Sequence, residues 1–178
     1  MSIVISVIEK NKKFYIASDK RGERVGMVKD NYKKIYQLSK ELYFGMTGIY
    51  EAGLSFFNYI KIFDTKDIDS LIDNINYSFD NFFKNDRPEE LAVTIGGKDN
   101  SGGFFIWLKN IQGGTKFIKG SGNIEYAVSS NDKIEIFSGY FKKQIELRMS
   151  VRNAIIETIA YASRIDSGIS KAYELRDL

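Results

Sequence analysis

The sequence predicts an α+β fold in four layers, an αββα sandwich of two antiparallel sheets packed together with a helix pair on each outer face. Three observations carry this. The segments come in separate runs (strands, two helices, strands, two helices, strand), and segregated runs favour α+β layering over alternating βαβ units. The apolar spacing changes from short β-branched runs to helical stripes and back. The 178 residues are 43% hydrophobic and 28% charged, with one proline and no low-complexity tract, which suits a single domain over residues 1–178.

Ile3 to Ile8 is apolar and β-branched, Glu9-Lys10-Asn11-Lys12 is a polar turn, and Phe14 to Ala17 resumes the apolar run; this is a β-hairpin. A second strand pair covers Lys34 to Leu38 and Leu42 to Met46. The period then changes. Ile49, Phe56, Phe57, Ile60 and Phe63 share one helical face, and Ile68, Leu71, Ile72, Ile75, Phe79, Phe82 and Phe83 form a cleaner stripe that stops at Asn85-Asp86-Arg87-Pro88. Strands return at Leu91 to Ile95, Gly103 to Leu108, Thr115 to Ile118 and Ile124 to Val128, with glycine pairs at 96–97, 102–103 and 113–114 marking turns. These pairs lack the strand-loop-helix context and the Lys-Ser/Thr of a phosphate loop. Asp132, with Glu135 at N3, is expected to cap a third helix carrying Ile134, Phe137 and Phe141. Ser150 caps a fourth carrying Val151, Ala154, Ile155, Ile159 and Ala162, and a short strand over Ala172 to Leu175 closes the chain.

The absences narrow the chemistry. There is no histidine, which excludes Ser-His-Asp and Cys-His machinery, and no cysteine, which excludes thiol nucleophiles, disulfides and Cys-based zinc sites. No cofactor and no metal are expected. The N-terminal MSIVISVIEKN has no basic segment before its apolar stretch, and no run is long enough to span a bilayer, so a cytoplasmic protein without a membrane partner is expected. The net charge of +3 and scattered basic pairs give no reason to expect nucleic acid.

One feature points to chemistry. Ser2 follows Met1, and the first hairpin ends in Ala17-Ser18-Asp19-Lys20-Arg21-Gly22. Removal of Met1, which a serine in second position generally permits, makes Ser2 a free amine and a hydroxyl at once. An N-terminal amine has an unperturbed pKa of about 7.7–8.0, so it can take the proton of its own hydroxyl directly or through one water.

At this point the chain resembles the proteasome β-subunit and HslV family of N-terminal nucleophile hydrolases. Ser-Ile-Val-Ile-Ser-Val at 2–7 is similar to that family's opening strand, and Ala17 to Arg21 to its A-x-D-x-R strand end. Asn31 to Tyr36 resembles its N-x-x-K strand, and Met46-Thr47-Gly48 its x-A-G turn. Ala127 to Asn131 resembles its A-x-G-S-G turn, and Arg164 to Gly168 its R-D-S-x-S-G loop. The strings run in family order over nearly the whole chain. The departures are serine for the usual threonine nucleophile, Thr47 for alanine, and Ser129 and Asn131 for the glycines flanking Ser130. Serine lacks the methyl that fixes the rotamer, so slower peptide cleavage is expected.

The resemblance implies roles. Ser2 is the nucleophile; Lys34 projects toward it and favours the ionised hydroxyl; Asp19 pairs with Lys34. The Gly48 N–H stabilises the oxyanion, Ser130 and Asp166 position the amine, with Ser167 or Ser170 as further candidates, and Met46 lies at the base of the pocket for the side chain before the scissile bond. It also implies peptide or unfolded-protein substrates, a homo-oligomeric ring and an ATPase unfoldase partner. Two other readings stay open: a catalytically silent subunit that assembles without cleaving, and a small-molecule amidase using the same nucleophile.

Overall fold

The computed structural model describes residues 2–24, 27–130 and 133–178. The first sheet has the order β10-β1-β2-β11, from Ile124–Ser130, Ile3–Glu9, Lys13–Asp19 and Tyr173–Asp177. The second has the order β5-β6-β7-β8-β9, from Ile35–Ser39, Leu42–Gly48, Leu91–Lys98, Phe104–Asn110 and Thr115–Lys119. All neighbours in both sheets are antiparallel. Helices α1 (Tyr50–Ile60) and α2 (Ile68–Phe82) cover the second sheet, and α3 (Ile134–Glu146) and α4 (Val151–Ile165) cover the first. The four-layer α+β sandwich is therefore the fold. Among the described residues no helix is long and apolar enough to cross a membrane.

Strand alternation sorts the core into three slabs. Ile3, Ile5 and Val7 face α3 and α4, meeting Phe137, Phe141, Ile155 and Ile159. Phe44, Met46, Val93, Ile95, Phe105 and Trp107 face α1 and α2, meeting Phe56, Leu71, Ile75 and Phe79. Val4, Ile8, Phe14 and Ile16 from one sheet meet Ile35, Phe104 and Ile106 from the other in the middle. Each such side chain contributes about 1.5–3 kcal/mol by leaving water.

Several expectations shift. Gly96 and Gly97 mark no turn; they sit inside β7. A Cβ on Gly96 would lie 2.5 Å from the Phe14 ring of the facing sheet, so this glycine sets the approach of the two sheets. Phe82 and Ile49, placed on buried stripes by periodicity, are 37% and 42% exposed. Ile49 is the N-cap residue of α1, and Phe63 lies beyond that helix's end. A short ribbon, β3 (Gly22–Arg24) with β4 (Met27–Lys29), was not expected from the sequence. Ser150 caps α4, its hydroxyl accepting from Asn153 N at 3.3 Å. Asp132 lies outside the described residues, as do Asn131 and Met1. The N-cap residue of α3 is Lys133, which puts Glu135 at N2 instead of N3.

A candidate active site at one edge of the sandwich

Antiparallel pairing gathers the site. β1 starts where β2 and β10 end, with Val4 opposite Ser18 and Ile3 opposite Ser130. In the other sheet β5 starts where β6 ends. Ser2, Asp19 and Ser130 thus share one edge of the first sheet, and Lys34 and Gly48 the matching edge of the second.

Lys34 joins the two edges. Its Nζ donates to Ser2 Oγ at 2.8 Å and to Asp19 Oδ1 at 2.8 Å. Lys34 is 3% exposed, Ser2 6% and Asp19 0%. Asp19 is further held by backbone donors: Ile3 N on Oδ1 at 3.0 Å, Arg21 N on Oδ2 at 2.9 Å and Ser170 N on Oδ2 at 3.3 Å. Four donors on two oxygens satisfy an ionised, buried carboxylate. Burial pushes the Lys34 pKa below its ordinary value, while the charge and hydrogen bond of Asp19 oppose that fall. A cation this close to a hydroxyl stabilises its ionised form.

Gly48 ends β6 at φ 94°, and a Cβ there would meet the Glu90 carbonyl oxygen at 2.3 Å. Only glycine fits this position without displacing the backbone. The N–H of Met46 donates to Lys34 O, and that of Ile49 to Glu90 O on the opposite side. Ladder alternation therefore turns the Gly48 N–H toward the Lys34 side, away from β7. Ser130 is buried, one register step from Ser2, and its hydroxyl has no partner among the described residues.

The other candidates are placed differently. Asp166 is the C-cap residue of α4, with Oδ1 engaged by Gly168 N at 2.8 Å and Oδ2 by Lys133 Nζ at 3.2 Å. It ties the last turn of α4 to the start of α3. Met46 is 2% exposed and packs against Gly53 of α1 within the outer core slab. Ser170 contributes its backbone N–H to Asp19, while its hydroxyl accepts from Ala172 N at 3.0 Å.

Sequence reading missed two supports. Arg21 belongs to the quoted strand-end string, but its guanidinium had no assigned task. It donates to Ser167 O at 2.6 Å and to both oxygens of Asp30, at 2.6 and 2.9 Å, holding the Asp30 carboxyl below the usual carboxylate range. Thr47 and Ser129, noted only as departures, bond to each other across the sheets at 2.9 Å. A pair of hydroxyls where the resembled family has alanine and glycine was the signal available for that bond. Among the described residues no group of three or more His, Cys, Asp or Glu side chains is arranged to hold a metal ion.

No protein-family model and no curated protein matches the chain. Solved structures do. The chain is similar to eukaryotic HslV from Trypanosoma brucei, at 12% identity over 99% of this chain and 98% of that one, with a TM-score of 0.70. It is also similar to Anbu (ancestral beta-subunit) from Yersinia bercovieri, at 13% identity over 98% of this chain and 80% of that one, with a TM-score of 0.76. At such identities the likeness establishes the proteasome-like fold.

Proposed function

We propose that this chain is a proteasome- and HslV-like peptidase whose nucleophile is Ser2, freed as the N-terminus by removal of Met1. The observation that carries this reading is the buried bridge from Lys34 Nζ to Ser2 Oγ and Asp19 Oδ1, both at 2.8 Å. A second-position serine has no structural need for a desolvated lysine on its hydroxyl. The likeness in fold to HslV supports the reaction class.

In this mechanism the Ser2 amine accepts the proton of its own hydroxyl, and Oγ attacks the scissile carbonyl. Lys34 stays charged and favours the ionised oxygen, while Asp19 fixes its position. The oxyanion forms against the Gly48 N–H; such a donor accelerates comparable reactions by about 10²–10³. The protonated amine then gives its proton to the leaving nitrogen, the C–N bond breaks, and an ester to Ser2 remains. Water, deprotonated by the same amine, hydrolyses that ester. The substrates are peptides or unfolded proteins. The working form is a cytoplasmic homo-oligomeric ring served by an ATPase unfoldase.

Intact mass of protein from its native host, combined with fluorogenic peptide turnover, tests this. Met1 is expected to be absent, and Ser2→Ala to lose activity by about 10³-fold or more. Retained Met1, or equal turnover in wild type and variant, would overturn the assignment. Retained Met1 in an oligomer would favour the silent subunit, because the base would be locked in an amide.

A further inference from the structure

A cavity of about 110 Å³ lies beside the site, on the β10 side, and the mechanism above does not use it. Its walls include Ala92 and Leu108 from the middle of the sandwich, Asn110 and Gln112 at the end of β8, and Ser129 and Ser130 at the end of β10. Ser129 also holds Thr47, the residue before the oxyanion glycine, at 2.9 Å. Thr47 in turn lies opposite Ala92 in the β6–β7 register. The cavity therefore borders Thr47 from two sides, through its hydrogen bond to Ser129 and its strand partner Ala92, next to Gly48.

Its chemistry is specific. Ala92 and Leu108 offer apolar walls to a methylene stem. Asn110 uses its Oδ1 to accept from Gly114 N at 2.9 Å, which leaves its amide N–H groups as donors. Gln112 uses its Nε2 to donate to Glu89 O at 3.2 Å, which leaves its carbonyl oxygen as an acceptor. A cavity of about 150 Å³ admits benzene, so this smaller one suits a group of up to about five heavy atoms. A donor, an acceptor and apolar walls around a short stem together describe a carboxamide.

We propose that this cavity is the subsite for an asparagine or glutamine side chain adjoining the scissile bond, with Asn110 and Gln112 as specificity-determining residues. The proposal rests on the peptidase reading. Fluorogenic peptides carrying Gln, Asn, Leu or Glu on either side of the scissile bond test it, alongside labelling of Ser2 by a small β-lactone read by intact mass. At one flanking position the amides are expected to exceed Leu and Glu in kcat/KM by about tenfold or more. Ala92→Leu, which fills the cavity, is expected to bring that ratio close to one while labelling persists. Gln112→Leu, at an exposed position, carries the same expectation should Ala92→Leu fail to fold. Equal turnover of all four peptides, or an unchanged preference in a labelled variant, would overturn the subsite and leave the peptidase reading standing. Labelling without cleavage of any peptide would also overturn it. Neither labelling nor cleavage would remove both.

Discussion

Lys34 places a cation where almost no water reaches it, and the ion pair with Asp19, with a smaller contribution from Asp30, opposes that cost. Breaking such a pair by removing one partner leaves the other charge buried, so Lys34→Met is expected to cost about 3 kcal/mol of stability, and on the proposed peptidase reading to abolish turnover as well. The pH dependence has a definite sign. The folded pKa of Lys34 lies below its ordinary 10.5 because of burial. Below the folded value both states hold the proton. Between the folded value and 10.5 the unfolded chain holds it and the folded chain does not, so stability supplied by this group grows with pH and is lost as pH falls back through the folded value. The difference in unfolding free energy between wild type and Lys34→Met should therefore increase with pH across that window in denaturant titrations. A difference that shrinks there would mean that Lys34 is stabilised as a cation more strongly than burial destabilises it.

At the level of elements, the first hairpin shows how local rules and tertiary needs combine. Lys10 and Asn11 both have positive φ, 53° and 52°, and Lys12 N returns to Glu9 O at 2.9 Å, as a type I′ turn requires. Asn11 suits this conformation and also accepts from Phe104 N at 2.9 Å, docking the turn on the other sheet. Lys10 does not suit it. Lys10→Asn is expected to stabilise the protein by about 0.5–1 kcal/mol, read as a higher denaturant midpoint at unchanged slope. The hairpin itself was legible because a β-branched run, a polar tetrad and a second apolar run are all local signals. The strand pairs, the four helices and the Ser150 cap were legible for the same reason. The β3–β4 ribbon was not, because three-residue strands carry too few alternations to register a period. Within the site, Ser2, Asp19 and Lys34 could be named from ordered strings, and the structure brings those three side chains into hydrogen-bond contact. The engagement of Asp166 by Lys133 could not be read off, since the two residues are far apart in sequence and meet only through α3–α4 packing. The Arg21 link to Ser167 O likewise depends on the closing loop returning to β2.

On the scale of the whole molecule, the site depends on how closely two sheets approach, because Ser2 and Asp19 come from one and Lys34 and Gly48 from the other. Glycines set that spacing. A Cβ on Gly45 would stand 3.0 Å from Ile16 and 3.1 Å from Val4 of the facing sheet, and one on Gly96 would stand 2.5 Å from the Phe14 ring. The second is closer than real Cβ contacts allow, and Phe14 is fully buried. Gly96→Ala should therefore push the sheets apart near the middle slab, costing about 1–3 kcal/mol despite the lower chain entropy of alanine. Phe14→Leu alone should also destabilise, by leaving part of the slab unfilled. Combined, the two changes are expected to cost less than their sum by about 1 kcal/mol, because the smaller side chain makes room for the added methyl. A double-mutant cycle in denaturant measures this coupling, and peptide turnover in the same variants reads its consequence. If spacing controls the Lys34–Ser2 contact, Gly96→Ala should lose activity at temperatures where it remains folded, and Phe14→Leu should restore part of it. Strict additivity in both readouts would show that the sheets absorb the methyl locally and that the Lys34–Ser2 contact does not depend on this contact between the layers.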